Sequence, residues 1–313
     1  MNPKKLITPP ALKPGASLAL IRPAGRFDEK RYQENVRELR KLGFCVCEYP
    51  RRSKKDSFFS ASDRDRALEF AWAFSEPGID AVLSVRGGYG THRLIDAFER
   101  LPQKVQKAIR PKIFVGYSDV TYLHQYLQNQ WGWKTFHGPL TGALPPAALK
   151  SMMKDLLALP SQSSAETWSE AKVLSGGKSS KARGRLVGGN LSLLQTSGPA
   201  ALPKNVPLIL ALEDVNENFY QIDRMLRVLV DAGYRENVKG LLLGTFVGCG
   251  KDDARTFRWS RVQESLRELC AGPILKNIRF GHGLKTQRLL PLGSQVEVSG
   301  KKIRVLGPVV AAG

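Results

Sequence analysis

The chain has 313 residues, 42% of them hydrophobic, and a formal net charge of +20 at pH 7. No apolar run approaches the roughly 20 residues that a membrane-spanning helix needs, and no apolar segment follows the basic start as in a signal peptide. We therefore expect a cytoplasmic protein with no membrane partner. The basic residues accompany no zinc-finger, RNA-binding or heptad pattern, so we expect no specific nucleic-acid partner and interpret the charge mainly as a solvated surface.

In the first part of the chain, predicted strands alternate with predicted helices. In order they are a strand at 17–21, a helix at 29–42, a strand at 44–49, a helix at 62–75, a strand at 81–85, a glycine turn that opens another helix, and a strand at 113–116. This alternation predicts an α/β domain with a doubly wound, mostly parallel sheet. Ligands bind such sheets beyond the carboxyl ends of the strands, so we expect the glycine turn at 87–90 and Ser118 to line one cleft.

The composition changes between residues 145 and 183, a stretch with paired prolines and several serines, glycines and lysines. We interpret this stretch as a linker that contains one helix, at 149–159. It separates an N-terminal domain, residues 1–144, from a smaller C-terminal α/β domain, residues 184–313. The elements expected in the second domain are strands at 208–212 and 238–246, helices at 222–232 and 261–270, and a strand pair within 294–305.

The sequence around Ser118 has the pattern of a strand, a tight turn and a helix. A serine at such a turn holds its hydroxyl clear of both elements, and the next backbone N–H, on Asp119, faces the position where an oxyanion would form. Val120 stands where the usual nucleophile-elbow pattern has a second glycine. The pattern alone leaves two interpretations open, a nucleophile and a helix N-cap, because serine is also a favoured N-cap residue.

A nucleophilic serine needs a general base, and the chain has only four histidines. His124 lies six residues after Ser118 on the same predicted helix, which places it on a different face. His92 could reach Ser118 only if their two loops meet. His137 ends a strand, and His282 lies between glycines that can expose its ring. The residues alone do not decide between these two histidines, and a structural role is the commoner one for each.

A base histidine also needs a carboxylate to orient it. Glu213 directly follows the predicted strand at 208–212, at the carboxyl end where the cleft is expected. The alternative interpretation is a helix cap or a solvated acidic group, since Asp214 lies beside it. Ser118, Glu213 and His282 would follow the order serine, acid, histidine that α/β-hydrolases use.

The four cysteines of the chain are Cys45, Cys47, Cys249 and Cys270, and none forms a C-x-x-C pair. We expect free, reduced thiols, as is usual for a cytosolic protein. The spacing supplies no further ligands for a metal ion, so we expect no metal site.

Seven short segments between about residue 15 and residue 305 complete the sequence evidence. They are residues 86–90, 116–121, 136–139, 188–191, 212–215 with 220–224, 281–282 and 290–293. In type and order these segments resemble the murein LD-carboxypeptidase family of serine peptidases, which also includes the microcin C self-immunity peptidases. The resemblance covers nearly the whole chain.

The resemblance implies a Ser-His-Glu hydrolase in which Ser118 is the nucleophile, His282 is the general base and acid, and Glu213 orients the imidazole. It implies that the backbone N–H groups of Gly88 and Asp119 form the oxyanion hole. It also implies a C-terminal domain with a swivelling barrel-like sheet, an active site between the two domains, and a homodimer. No metal or organic cofactor is implied, because a triad and an oxyanion hole suffice for acyl transfer.

From this resemblance we expect hydrolysis of the L,D amide bond between the diamino acid and the terminal D-alanine of murein tetrapeptides, as in cell-wall recycling. Arg86 is a candidate, from position alone, for binding the terminal carboxylate of the substrate, with a helix C-terminus as its alternative partner. One alternative function is an immunity-type serine peptidase that cleaves an aminoacyl-nucleotide toxin. Another is a binding protein in which residues 87–90 hold a phosphate at a helix N-terminus.

Overall fold

Two β-sheets organise the chain, and the computed structural model describes residues 6–50, 58–159, 170–176, 181–252 and 255–312. The strands are β1 (Ser17–Ile21), β2 (Cys45–Cys47), β3 (Ala81–Ser84), β4 (Ile113–Gly116), β5 (Thr135–His137), β6 (Lys172–Ser175), β7 (Lys181–Asn190), β8 (Leu208–Val215), β9 (Val238–Val247), β10 (Ile274–Lys276), β11 (Leu290–Leu292), β12 (Gln295–Ser299) and β13 (Lys302–Leu306). The helices are α1 (Glu29–Lys41), α2 (Asp63–Ser75), α3 (Thr91–Glu99), α4 (Gln103–Gln106), α5 (Thr121–Tyr126), α6 (Pro146–Leu157), α7 (Phe219–Asp231) and α8 (Trp259–Leu269).

The first sheet has the strand order β2-β1-β3-β4-β5-β11. Its first five strands are parallel, and β11 from the C-terminal part of the chain closes the sheet as an antiparallel edge. Strands of this sheet are apolar on both faces because helices cover both. Leu18 and Leu20 of β1 pack with residues of α1 and α6, whereas Ala19 and Ile21 pack with residues of α2, α3 and α5. The predicted α/β fold class is confirmed.

The second sheet is mixed and has the order β13-β12-β7-β8-β9-β10-β6. Strands β7 to β10 are parallel, and β12, β13 and β6 run antiparallel to their neighbours. Helices α7 and α8 pack on one face, and the other face shares its core with the first sheet. Both α6 and β6 lie within the stretch 145–183, and β6 forms an edge of this sheet.

Helix starts follow local capping rules. The Asp28 carboxylate accepts a hydrogen bond from the Arg31 N–H at 3.0 Å and begins α1, and the Ser62 hydroxyl accepts one from the Asp65 N–H at 3.1 Å and begins α2. Each cap satisfies an N–H group that has no partner within its helix. These caps account for the close agreement of both helices with their predicted bounds.

The order of the first sheet determines where its turns meet. The chain passes from β1 outward to β2 and then returns to β3, so the direction of winding reverses between β1 and β3. The turns that follow β1, β3 and β4 therefore emerge at one edge, on either side of the crevice where α/β proteins bind ligands. The turns at this edge contain residues 22–25, 86–90 and 117–119.

Candidate active site

Ser118 lies at the turn between β4 and α5, in a strained backbone conformation. Its φ is 64°, in the left-handed region that residues with a side chain rarely adopt. A short 3₁₀ turn, Ser118–Val120, leads into α5, and the helix start has no side-chain cap. An N-cap residue normally has an extended backbone, so the geometry of Ser118 favours the nucleophile interpretation over the N-cap interpretation.

The glycine turn after β3 touches this serine. A Cβ atom on Gly87 would lie 2.9 Å from the Ser118 Cβ, closer than such atoms approach in proteins. The Gly87 carbonyl accepts a hydrogen bond from the Gly25 N–H at 3.1 Å, which ties the turn after β1 to the same place. Gly88 follows with a φ of 101°. The three turns therefore meet at Ser118, and glycine at position 87 permits the approach.

Asp119 fixes the serine turn to helix α3. Its buried carboxylate accepts a hydrogen bond from the Thr91 N–H at 2.8 Å, and its carbonyl accepts one from the Thr91 hydroxyl at 2.7 Å. Thr91 is the first residue of α3, so the carboxylate caps this helix from a distant part of the chain. Burial raises the pKa of Asp119 to about 6.

Glu213 and His282 pair directly. Glu213 is fully buried near the end of β8, and its Oε2 lies 2.7 Å from His282 Nδ1. The His282 backbone N–H donates to the same oxygen at 3.2 Å. A Cβ atom on Gly281 would lie 2.8 Å from Glu213, so only glycine lets the loop approach so closely. With Nδ1 donating to the carboxylate, Nε2 is the ring nitrogen left to accept a proton.

Tyr117 brings the two halves of the site together. Its ring packs on the His282 ring with centroids 4.8 Å apart, and Ser118 is its chain neighbour. A second contact lies on the other side of the serine turn, where the Thr121 hydroxyl accepts a hydrogen bond from the Asn190 N–H at 3.0 Å. The serine turn and the histidine–glutamate pair, from opposite sheets, therefore lie next to each other.

The other three histidines have different surroundings. His124 is buried with Nε2 2.8 Å from the Gly116 carbonyl oxygen, and burial lowers its pKa to about 4. His137 is buried edge-to-face against Phe280, and burial lowers its pKa well below the usual value. His92 is an exposed residue of α3. Of the two histidines that the sequence left open, His282 is the one paired with a carboxylate.

Arg86 is exposed at the start of the glycine turn. Burial and the nearby Glu213 carboxylate raise the pKa of Tyr117, and the positive charge of Arg86 opposes this rise. The charge of Arg86 is available at the same edge as the serine.

Nothing in the described part of the chain groups three histidine, cysteine, aspartate or glutamate side chains as a metal site would. The four cysteines are all free, with Cys270 buried and Cys45 exposed. Across the residues that the structure describes, we find no helix with the length and apolar character to cross a bilayer.

Sequence reasoning missed two residues that shape the site. The sequence indicates Tyr117 only as part of the turn pattern, because its contact with His282 joins positions that are far apart in the chain. The capping of α3 by Asp119 was also missed, although Gly90 before Thr91 offers no side chain for a local cap. That absence is the available signal, because the free N–H groups of a helix start without a local cap need a hydrogen-bond acceptor from elsewhere in the chain.

Comparison with protein families matches both parts of the chain. The profile of the LD-carboxypeptidase N-terminal domain matches residues 18–138, and the profile of the LD-carboxypeptidase C-terminal domain matches residues 183–298. The matched ranges contain every residue of the candidate site described above, from Arg86 to His282. They are separated by the stretch that the sequence marks as different in composition.

Individual proteins agree with this match. The chain is 30% identical over 314 residues to a Bacillus subtilis protein named "Probable murein peptide carboxypeptidase", covering 97% of this chain and 96% of that one. The crystal structure of muramoyltetrapeptide carboxypeptidase from Oxalobacter formigenes superposes with a TM-score of 0.78 at 26% identity, over 95% of this chain and all of that one. The microcin C7 self-immunity protein MccF shares the fold, with a TM-score of 0.80 at 21% identity over 97% of this chain and 100% of that one.

Proposed function

Because this chain belongs to the LD-carboxypeptidase family, we propose that it is a serine carboxypeptidase that removes the terminal D-alanine from murein tetrapeptides. The bond cleaved is the L,D amide between the diamino acid and D-alanine. The observation that carries this proposal is the contact of 2.7 Å between His282 Nδ1 and Glu213 Oε2, beside the turn that holds Ser118. A serine, a histidine and an orienting carboxylate are the parts that acyl transfer needs.

In the proposed reaction, the Ser118 hydroxyl attacks the carbonyl carbon of the diamino acid while His282 Nε2 takes its proton. Glu213 holds the imidazole in orientation and stabilises the imidazolium that forms. The N–H groups of Gly88 and Asp119 donate to the oxyanion of the tetrahedral intermediate. D-Alanine leaves with the proton from His282, and water then hydrolyses the acyl-enzyme to release the tripeptide.

The positive φ of Ser118 and the close approach of Gly87 support this assignment of the oxyanion hole. Gly88 and Asp119 are the residues that follow the touching pair, so their N–H groups belong to the two turns that meet there. A side chain at position 87 would push the turns apart and misplace the donors. No proton transfer or cofactor is needed for this part of the catalysis.

Arg86 would bind the terminal carboxylate of the substrate. Guanidinium groups recognise carboxylates through paired N–H donors, and Arg86 lies exposed at the start of the glycine turn that touches Ser118, with its charge acting on Tyr117. A carboxylate on the residue to be removed is what distinguishes a carboxypeptidase substrate from an internal peptide. The guanidinium would therefore select the chain end.

The wider setting of the protein follows from the same proposal. A cytoplasmic enzyme of this type would act on murein peptides returned for recycling, as a homodimer. The net charge of +20 would attract anionic wall fragments. Cleavage rates that fall as the salt concentration rises would support this role of the charge, because salt screens such attraction.

The test is mass spectrometry of a murein tetrapeptide incubated with the purified protein, with Ser118→Ala in parallel. We expect the wild type to release one D-alanine and the variant to release none. Circular dichroism of both proteins provides the control for folding. If the folded wild type releases no D-alanine, the proposal is wrong, and cleavage of an aminoacyl-nucleotide becomes the next reaction to test.

A further inference from the structure

Three aromatic side chains form a surface beside the glycine turn, and we call them the aromatic shelf: Phe58, Phe59 and Tyr89. Phe58 is 58% exposed and Tyr89 is 49% exposed, although burying aromatic area is normally favourable. The ring centroids are 5.1 Å apart for Phe58 and Phe59, 5.9 Å for Phe59 and Tyr89, and 6.4 Å for Phe58 and Tyr89. Exposed apolar side chains that touch one another are more informative than single ones, because they make a contiguous surface for binding.

A buried arginine holds the shelf in place. Arg66 donates from Nη1 to the Pro23 carbonyl and, at 2.7 Å, to the Gly90 carbonyl, so it joins the turns that follow β1 and β3. Its guanidinium lies 4.8 Å from the centre of the Phe59 ring. Gly90 has a φ of 136°, and a Cβ there would lie 2.6 Å from Arg66. The shelf is thus supported by fully buried groups.

Backbone contacts between the same turns connect the shelf to the nucleophile. Phe59 forms an antiparallel bridge with Gly25, and Gly25 donates its N–H to the Gly87 carbonyl. Gly87 in turn touches Ser118. Tyr89 follows Gly87 by two residues, so their Cα atoms are at most about 7.6 Å apart. The shelf therefore begins within about 8 Å of the glycine that touches the nucleophile.

We propose that the aromatic shelf is a subsite for the sugar ring that a murein peptide carries at its amino end, which rests on the function proposed above. Three extended residues span about 10 Å, the reach from the scissile carbonyl to the start of the peptide. The oxyanion donor Gly88 lies between Arg86 and Tyr89 in the turn. With the terminal carboxylate on Arg86, the other end of the substrate extends toward Tyr89 and Phe58.

The arrangement of the rings fits a sugar better than a nucleobase. The three ring planes are inclined to each other by 42° to 77°, so they offer no parallel slot for a flat base. Charged groups border the shelf, as Arg93 pairs with Asp63 at 2.8 Å and its guanidinium lies 5.6 Å from the centre of the Phe59 ring. Such groups can hydrogen-bond the hydroxyl and acetamido groups of an amino sugar while its C–H face packs on a ring.

The kinetic test compares a free murein tetrapeptide with the same peptide linked to N-acetylmuramic acid. The readout is the ratio of kcat/KM for the two substrates, measured by D-alanine release. We expect the wild type to prefer the sugar-linked peptide, and Phe58→Ala to reduce this ratio about five- to tenfold. Val228→Ala, which trims another exposed apolar side chain on α7, is the matched control and should leave the ratio unchanged. An unchanged ratio in Phe58→Ala would contradict the proposal.

A binding measurement separates this proposal from the proposed reaction. Calorimetric titration of the Ser118→Ala protein with each peptide should give tighter binding of the sugar-linked one, and the additional change Phe58→Ala should remove the difference. Equal affinities, or Phe58-dependent binding of adenosine instead, would overturn the sugar assignment. If the wild type releases no D-alanine from either peptide, the reaction is wrong, and the titration still decides whether the shelf binds sugar.

Discussion

The two sides of the candidate site depend on different kinds of interaction. On the side of the first sheet, the important features are backbone ones: the left-handed conformation of Ser118 and the side-chain-free approach of Gly87. On the side of the second sheet, the important feature is a contact between two side chains, Glu213 and His282. A backbone site is sensitive to added atoms, whereas a side-chain pair is sensitive to lost charge. Substitutions chosen for each kind of sensitivity test this contrast.

The largest effect is expected from removing the charge of Glu213. Glu213→Gln keeps the shape of the side chain but cannot hold the imidazolium, so kcat should fall about 10³–10⁴-fold. Steady-state kinetics on the tetrapeptide measures this loss. Glu297→Gln, the same change in a salt bridge between strands of the second sheet, is the control and should leave kcat unaltered. A loss below tenfold in Glu213→Gln would show that the carboxylate does not orient the base.

Asp119, a buried acid on the side of the first sheet, should make stability depend on pH through the proton it binds. The pKa of Asp119 is raised to about 6 in the folded protein, against roughly 3.9 for an unfolded chain. The folded state therefore binds the proton more tightly, and the stability contributed by this group is present below pH 4 and lost as the pH rises through 6. Relative to Asp119→Asn, the wild type should lose about 2 kcal/mol of unfolding free energy between pH 4 and pH 7.

Urea unfolding of the wild type and of Asp119→Asn at both pH values gives this difference directly. Every other titrating group is common to the two proteins, so the comparison isolates the carboxyl group. A stability difference that stays constant between the two pH values would contradict the raised pKa.

An added methyl group at Gly87 should misplace the nucleophile. In Gly87→Ala the new Cβ would lie 2.9 Å from the Ser118 Cβ and 3.1 Å from its hydroxyl oxygen. We expect kcat/KM to fall about 100-fold while the protein stays folded, because small displacements of reacting groups are costly. Gly78→Ala is the matched control, since the nearest atom to its new Cβ would be 3.9 Å away. Similar kinetics for the two variants would count against close contact at the serine turn.

The smallest effect is expected at the contact between the two sides. Thr121→Val removes the hydroxyl that accepts the Asn190 N–H and leaves that buried donor without a partner, which should cost about 1–2 kcal/mol of unfolding free energy. Thr121→Ser retains the hydroxyl and should recover most of this loss. Denaturant unfolding of the two variants measures their loss of unfolding free energy. Equal destabilisation by both would contradict a role of the hydrogen bond.

Local sequence patterns predicted elements well where local forces determine them. Strand β4 has the predicted bounds, because an apolar run there ends in a glycine turn. Helix α7 begins three residues before its predicted start, at a capping box of Asn218 and Gln221 that the sequence already contained. Strand β6 was not predicted, since its partner β10 lies about a hundred residues further along the chain and no local pattern indicates it.

The site was harder to predict from residue patterns than the fold. Residue patterns did not decide whether His137 or His282 is the general base, and only the family resemblance favoured His282. The decisive fact is a distance between side chains 69 residues apart, which depends on how the two sheets pack. The aromatic shelf was not predicted either, because ring contacts between Phe58 and Tyr89 require the turns after β1 and β3 to be joined.

Strand β11 has a consequence for how this protein is made. It follows His282 by eight residues, yet it completes the first sheet by pairing with β5, where His137 lies opposite Leu290. A nascent chain that has emerged from the ribosome only through the first domain would carry an unpaired β5 edge, which invites association with other chains. The first sheet cannot complete its strand pairing before β11, in the C-terminal half, is synthesised. Separate expression of the two halves should therefore yield an aggregation-prone first fragment.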